Sequence, residues 1–166
     1  MDVAVRTSHS VLALAFRDHE GSLCTVYTER IPHPNPLVGE TAALLAAIRL
    51  SSSFSGGRLE FESDCSILVN DVHCLELRTG WLMEEWLVSI RRHFSDHSSH
   101  SLTLIPRRRN RLAHQLTKWA AATCSFGFCP VVSIPVAIVI VDSVGGWLVF
   151  PYLKKRRRKG IGIGIV

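Results

Sequence analysis

The chain has 166 residues, which is enough for one domain of ordinary size. Hydrophobic residues make up 47% of it and charged residues 20%, a composition that supports a buried core and excludes wholesale disorder. The formal net charge is +5, but one unbroken basic run at residues 154–159 accounts for it and leaves the rest of the chain close to neutral. The basic character therefore belongs mainly to a tail.

The cysteines and the first residues bear on the compartment. The chain has five cysteines, an odd number without C-x-x-C spacing, which fits reduced thiols better than a disulfide framework or a zinc site. Asp2 follows Met1 directly and further charges recur up to Asp18, a pattern unlike that of a signal peptide. We therefore expect an intracellular protein that is not secreted, in either the nucleus or the cytoplasm.

The first third of the chain predicts three strands. Residues 2–5 form a short apolar stretch, residues 11–16 an apolar run, and residues 23–31 alternate apolar and polar side chains. A polar turn ending in Gly21 joins the second strand to the third, which predicts a hairpin. Three prolines, from Pro32 onwards, end the third strand because each lacks a backbone donor.

Helices and two further strands follow. The predicted elements are a helix over 39–50, a strand over 58–63, a helix from Asp64 to Leu75, a helix carrying Leu82, Trp86, Ile90 and Phe94, a strand over 101–105 and a helix over 110–123. The order βββαβααβα predicts a mixed α/β domain over residues 1–123. Its five-stranded sheet is an antiparallel meander extended by parallel strands and flanked by helices.

Residues 124–166 do not continue this pattern and predict an irregular tail, first apolar and then basic. The apolar stretch at 131–153 with its basic flank superficially resembles a membrane span. Pro135, Asp142 and Pro151 interrupt any long apolar helix there, so we do not expect membrane insertion. The basic run is typical of a nuclear-localisation or phosphate-binding patch. A membrane-tethered interaction protein is an alternative that only the apolar stretch supports.

Several short motifs, in this order on the predicted elements, resemble ribonuclease H type 1. They are Asp2 in the first strand, Glu40 opening the first helix and Glu62-Ser63-Asp64-Cys65 ending the fourth strand. The closing stretch is similar to the plant-type RNase H-like group of retroelement reverse transcriptases and their domesticated relatives: it reads Ile105-Pro106-Arg107, then Asn110-Arg111-Leu112-Ala113-His114-Gln115-Leu116. The resemblance covers residues 2–122 and implies cleavage of the RNA strand of RNA–DNA hybrids, recognised by the 2′-hydroxyl and groove shape.

The resemblance also implies a metal site. Hydrolysis of a phosphodiester needs an activated water and a stabilised leaving oxygen, which two divalent cations supply. Asp2, Glu40 and Asp64 match the family's carboxylate ligands, which hold Mg²⁺ or Mn²⁺. Each has an alternative. Asp2 could be a disordered terminal residue, Glu40 a helix-start acid favoured by the helix dipole, and Asp64 a helix N-cap.

The fourth position of the site is His114, where many active ribonucleases carry an aspartate, although histidine is usual in the plant-type group. Imidazole is a poor Mg²⁺ ligand, so we expect His114 to transfer a proton or position the attacked phosphate. The alternative is a solvent-facing helix histidine. The other seven histidines follow no ligand spacing in the sequence, and we expect no special role for them.

A basic loop follows the last predicted strand. Arg107, Arg108, Arg109 and Asn110 are predicted to bind the nucleic-acid backbone beside the carboxylates, the alternative being a solvated loop. The expected partner is an RNA–DNA hybrid, with no small-molecule cofactor, and the protein is expected to be a monomer. The resemblance predicts more strand before Asp2 and a glycine-rich turn after it. This sequence has only Met1 before Asp2 and no glycine at residues 7–10. These two departures from the family pattern favour a second hypothesis, a catalytically weak or inactive RNase H-like nucleic-acid-binding module.

Overall fold

The computed structural model describes residues 1–53, 57–74 and 83–144, and for residues 141–144 the backbone only. The helices and strands are, in chain order, β1 (Asp2–Val5), β2 (Ser10–Arg17), β3 (Leu23–Ile31), α1 (Pro36–Ser51), β4 (Leu59–Ser63), α2 (Ser66–His73), α3 (Glu84–Asp96), β5 (His100–Leu104), α4 (Arg111–Thr123), β6 (Gly127–Cys129) and α5 (Val136–Val144). The predicted mixed α/β fold and its order from β1 to α4 are confirmed. Leu75, Leu82 and the basic run at 154–159 lie outside the described residues.

The strands form two hydrogen-bonded ladders. The first is antiparallel, in the order β1-β2-β3-β6, and the second is the parallel pair β4-β5. The start of β1 lies beside the end of β4, where the Met1 amino group donates to the Glu62 carbonyl oxygen at 3.3 Å. Within the described residues, the strands of the expected five-stranded sheet therefore form two ladders, which this contact joins.

Strand β2 runs through the middle of the core, and all eight of its residues are buried. Leu12, Leu14 and Phe16 belong to one apolar cluster, which they share with α1, α2 and α3. Ala13 and Ala15 belong to a second cluster, which they share with α4 and α5. Because alternate side chains of a strand point to opposite faces, both faces of the sheet at β2 are covered. This explains the uninterrupted apolar run in the sequence.

Helix α1 begins at Pro36, earlier than the predicted start at Gly39. Asn35 is the N-cap, and its side chain accepts hydrogen bonds from two backbone amides of the first turn. Proline suits the first helical position because its missing donor would have no helical partner there. Glu40 consequently lies in the second turn of α1 and not at its opening, and the first turn contains no acidic residue.

The ordered part of the chain continues beyond residue 123, where the sequence predicted an irregular tail. Strand β6 pairs with the outer edge of β3, and helix α5 follows it. Cys129 and Ile134 are buried in the second apolar cluster, and Ile138 packs against it. A three-residue strand carries too little periodicity to be recognised in a sequence, which is why this addition was missed. Helix α5 spans nine residues, and no helix in the described parts of the chain has the length and apolarity to cross a membrane.

Candidate active site

Three carboxylates meet at the carboxyl end of β4. Asp2 from β1, Glu40 from α1 and Asp64, which directly follows β4, each offer one oxygen, and these oxygens lie within 4.8 Å of one another. The structure thus brings together the three acids that the sequence nominated. Carboxylates held this close repel one another unless a cation or a proton offsets their charge.

The approach of α1 to β1 depends on Gly39. A Cβ atom on Gly39 would lie 2.5 Å from Val3 Cγ1 and 3.3 Å from Val3 Cβ. Valine is stiff at χ1 and cannot swing away easily, so a larger residue would push the helix from the strand. Since Glu40 is the next residue along α1, the same contact sets the distance between Glu40 and Asp2.

Asp2 is fixed by the helix α4. Only 7% of the residue is exposed, its Oδ2 accepts a hydrogen bond from Thr117 Oγ1 at 2.8 Å, and His114 Nδ1 lies 3.0 Å from the same oxygen. Asp2 is therefore an ordered member of the carboxylate cluster, not a loose terminus. His114 keeps 41% of its side chain exposed while it is paired with Asp2, so it combines solvent access with a fixed ring.

Asp64 is held by Asn110 instead of capping a helix. The N-cap position of α2 is Cys65, which makes no side-chain cap bond. Asp64 Oδ1 accepts a hydrogen bond of 2.5 Å from Asn110 Nδ2, which also donates to the Met1 carbonyl oxygen. Asn110 is only 1% exposed. The expectation that Asn110 contacts nucleic acid is corrected: both of its amide hydrogens are used inside the protein, where they align β1 with Asp64.

Glu40 places at this site a buried carboxylate oxygen, Oε2, that has no hydrogen-bond donor among the described residues. Burial raises the pKa of Glu40 to about 8; the Met1 amino group opposes this shift, and Asp2 and Asp64 reinforce it. A buried carboxylate oxygen without a donor, facing two further carboxylates, fits a hard divalent cation. The donor set is therefore suited to Mg²⁺ or Mn²⁺.

The arginine loop lies next to these carboxylates. Arg107–Arg109 form a short 3-10 helix between β5 and α4, and all three residues are exposed. The positive charge of Arg107 lowers the pKa of Glu40, and that of Arg109 lowers the pKa of Glu62, in each case against a larger effect of burial. The loop is thus close enough to act on the site electrostatically, and its side chains remain accessible to a large partner.

Two contributors were missed in the sequence, and each left a signal there. Thr117 lies one helical turn after His114, so both face the same side of α4, and helical spacing alone could have paired them. Gly39 stands inside a helix directly before Glu40, where glycine is costly unless a close approach requires it.

Comparisons with known proteins agree with this geometry. The sequence model of the reverse transcriptase-like family matches residues 1–120. A search of curated proteins gave no match. The solved structure of RNase H1 from the halophilic archaeon Halobacterium salinarum NRC-1 is similar at a TM-score of 0.66 and 18% identity, over 74% of this chain and 94% of that one.

Two further solved structures have the same fold. LC11-RNase H1 from compost, in complex with an RNA/DNA hybrid, gives a TM-score of 0.65 at 17% identity over 74% of this chain and 94% of that one. The N-terminal RNase H domain of a Mycobacterium tuberculosis protein gives 0.60 at 16% identity over 75% and 94%. The narrower similarity to the plant-type group stays a prediction. With the family match spanning most of its length and an RNase H fold around three converging acids, the chain belongs to the reverse transcriptase-like family.

Proposed function

We propose that this protein is a metal-dependent RNase H that cleaves the RNA strand of RNA–DNA hybrids, using Mg²⁺ or Mn²⁺ in a two-metal-ion hydrolysis. The observation that carries the proposal is the meeting of Asp2, Glu40 and Asp64 within 4.8 Å. The unpartnered, buried Glu40 Oε2 supports it. The complex of LC11-RNase H1 with an RNA/DNA hybrid supports the choice of substrate.

The three acids are the ligands in this proposal, and neighbouring side chains fix them. Divalent cations bound there supply an activated water and stabilise the leaving oxygen. Thr117 and His114 orient the Asp2 carboxylate, and Asn110 orients that of Asp64. Such anchoring matters because a displacement of about 1 Å in a catalytic group can cost on the order of 100-fold in rate.

His114 is assigned to proton transfer beside the attacked phosphate. Its Nδ1 lies 3.0 Å from Asp2 Oδ2, which fixes the orientation of the ring, and the side chain remains partly exposed. Histidine is suited to exchanging protons near neutral pH, whereas it is a poor ligand for Mg²⁺. In this proposal His114 positions or protonates groups on the substrate, and the carboxylates alone hold the cations.

The exposed Arg107–Arg109 loop binds the phosphates of the substrate backbone. Phosphate contacts position a nucleic acid without reading its bases, so discrimination rests on the 2′-hydroxyl and on groove shape. The predicted partner is an RNA–DNA hybrid, bound without sequence preference.

The test is cleavage of an RNA–DNA hybrid labelled on the RNA strand, with Mg²⁺ or Mn²⁺. We expect the RNA to be cut and the activity to disappear in Asp64→Asn. Asp96→Asn, which removes the charge of an exposed acid on α3, is the matched control and should remain active. A hybrid left intact with both metals would overturn the proposal. If that intact hybrid were nevertheless bound, the inactive nucleic-acid-binding module would be the correct alternative.

A further inference from the structure

Three histidines meet at the opposite end of the β4-β5 pair. From the sequence we expect no special role for the histidines other than His114, yet three of those histidines lie together in the structure. His93 lies in the last turn of α3, His97 caps its end and His100 opens β5. Each offers one ring nitrogen, and the three nitrogens lie within 4.8 Å of one another.

The three rings pack against one another, with His97 stacked on both neighbours and a hydrogen bond between His93 and His100. His93 Nε2 lies 2.9 Å from His100 Nδ1, and the ring centroids of His97 are 4.4 Å from His93 and 4.9 Å from His100. His97 Nδ1 lies 2.9 Å from the His93 carbonyl oxygen, to which it donates, so that its Nε2 keeps a lone pair. A bond from the second ring nitrogen to a carbonyl is the usual way in which metal-binding histidines are oriented.

The electrostatics favour uncharged ligands here. Burial, with smaller contributions from His97 and His100, lowers the pKa of His93 to about 4. The pKa of His100 is also lowered, again first by burial and then by His97. The lowered pKa values of His93 and His100 favour neutral imidazole, which is the form that binds a metal. The charge of Asp96 opposes the shift at His93, so a negative charge lies close to the cluster.

We propose that His93, His97 and His100 bind a transition-metal ion of the Zn²⁺ class and thereby fasten the end of α3 to the start of β5. Nitrogen ligands of tetrahedral zinc lie about 2.0 Å from the metal and hence about 3.3 Å apart. The His93–His100 pair, now hydrogen-bonded at 2.9 Å, has to give up the shared proton and open by about 0.4 Å to reach this spacing. The three rings line a cleft of about 800 Å³, which leaves room for a fourth ligand such as water.

This site is separate from the carboxylates. In the β4-β5 pair, Leu59 is opposite His100 and Ser63 is opposite Leu104, and Asp64 follows at the far end. A strand rises about 3.3 Å per residue, so the two clusters are roughly 15 Å apart. Imidazole nitrogens select transition metals, and carboxylate oxygens select Mg²⁺. The ion held by the histidines therefore stabilises the fold and takes no part in phosphodiester chemistry.

The test is Co²⁺ and Zn²⁺ binding by the full chain in excess Mg²⁺, which occupies the carboxylates. We expect one Co²⁺ with the visible absorption of a nitrogen-ligated tetrahedral site, displaced by Zn²⁺, and a melting temperature that rises with Zn²⁺. His97→Gln should weaken binding by at least about 10-fold and abolish the rise in melting temperature. His97 is exposed, so this variant is expected to fold.

His19→Gln, at an exposed histidine of the β2-β3 turn, is the matched control and should bind as the unmodified chain does. Asp64→Asn should also retain the absorption, since the carboxylates do not contribute to it. The proposal would be overturned if the unmodified chain gave no tetrahedral Co²⁺ spectrum. It would equally be overturned if His97→Gln bound Zn²⁺ as tightly as the control, or if Asp64→Asn lost the spectrum.

Discussion

The two ends of the β4-β5 pair carry two clusters of potential metal ligands with different chemistry. At the carboxyl end, Asp2, Glu40 and Asp64 offer oxygens, and at the amino end a histidine cluster of residues 93, 97 and 100 offers nitrogens. The oxygen cluster draws on three elements far apart in sequence and depends on tertiary packing. The histidine cluster draws on one helix end and the turn after it. The two sites should therefore fail under different perturbations.

The largest expected effect comes from one substitution that should impair the oxygen cluster and leave the histidine cluster unchanged. Glu40→Gln keeps the shape of the side chain but removes a carboxylate from the oxygen cluster. We expect the rate of hybrid cleavage to fall by more than about 100-fold, whereas Zn²⁺ binding at the histidines should not change. Loss of a residue that only supports a metal ligand costs about 10- to 100-fold, and loss of a ligand itself should cost more. Glu60→Gln, at an exposed glutamate of β4, is the control and should leave both functions intact. Full cleavage by Glu40→Gln would remove Glu40 from the site.

A packing change away from any ligand should also damage the oxygen cluster alone. Gly39→Ala places a methyl group against Val3, although alanine is favoured over glycine within helices by about 1 kcal/mol. We expect the displaced α1 to carry Glu40 away from Asp2 and to reduce cleavage by on the order of 100-fold, measured at saturating Mg²⁺.

The matched rescue is the double variant Val3→Ala with Gly39→Ala, which removes the clashing Val3 Cγ atoms. It should recover much of the lost activity, whereas Val3→Ala alone should be nearly as active as the unmodified chain. If Gly39→Ala alone were fully active, the close approach of α1 to β1 would not set the position of Glu40.

The difference between the clusters also explains what the sequence could predict. The oxygen cluster can be predicted because Asp2, Glu40 and Asp64 resemble a known order of motifs. The apolar pattern predicts the elements that carry them in the correct order, although α1 begins three residues earlier than predicted. The histidine cluster matches no motif of the family that the sequence resembles. The spacing of residues 93, 97 and 100 indicates a cluster only once it is known that α3 ends at Asp96 and that the chain turns directly into β5. Its recognition required the position of a helix end.

The other errors have the same origin in short-range detail. The three prolines from Pro32 onwards predict only the end of β3, yet Pro36 is the first residue of α1 after the Asn35 cap, so Glu40 lies in the second turn. Asn110 was grouped with the exposed arginines before it, yet the chain turns inward there and buries its amide against Asp64. In both cases composition alone could not show which way a boundary residue faces.

The buried side chains of Glu40 and His93 should respond to pH in opposite directions. The pKa of Glu40 is raised from 4.5 to about 8, so the folded state binds a proton that the unfolded state releases. Without divalent cations, this group lowers the free energy of unfolding as pH rises from 4.5 to about 8. The pKa of His93 is lowered from 6.5 to about 4, so its contribution is lost as pH falls through that range.

Urea unfolding at a series of pH values, in the presence of a chelator, separates these contributions. The variant His93→Gln should still lose stability as pH rises, because Glu40 causes that loss. The variant Glu40→Gln should instead still lose stability as pH falls, because His93 causes that loss. Mg²⁺ requires the ionised carboxylate, so its affinity should increase with pH over the window of Glu40. Identical pH profiles for Glu40→Gln and the unmodified chain would contradict the burial of an unpartnered carboxylate.

The smallest expected effect concerns the arginine loop, which belongs to the carboxylate end only. Each phosphate contact releases counterions, so its loss makes the dependence of log affinity on log salt shallower by about 1. Arg107→Ala with Arg109→Ala should therefore reduce the salt slope of hybrid binding by about 2 while Zn²⁺ binding is unaffected. Arg92→Ala, at an arginine of α3 whose side chain is 83% exposed, should leave the slope unchanged. An equal slope in both variants would make the loop a solvated surface, and hybrid binding would then have to rest on other contacts.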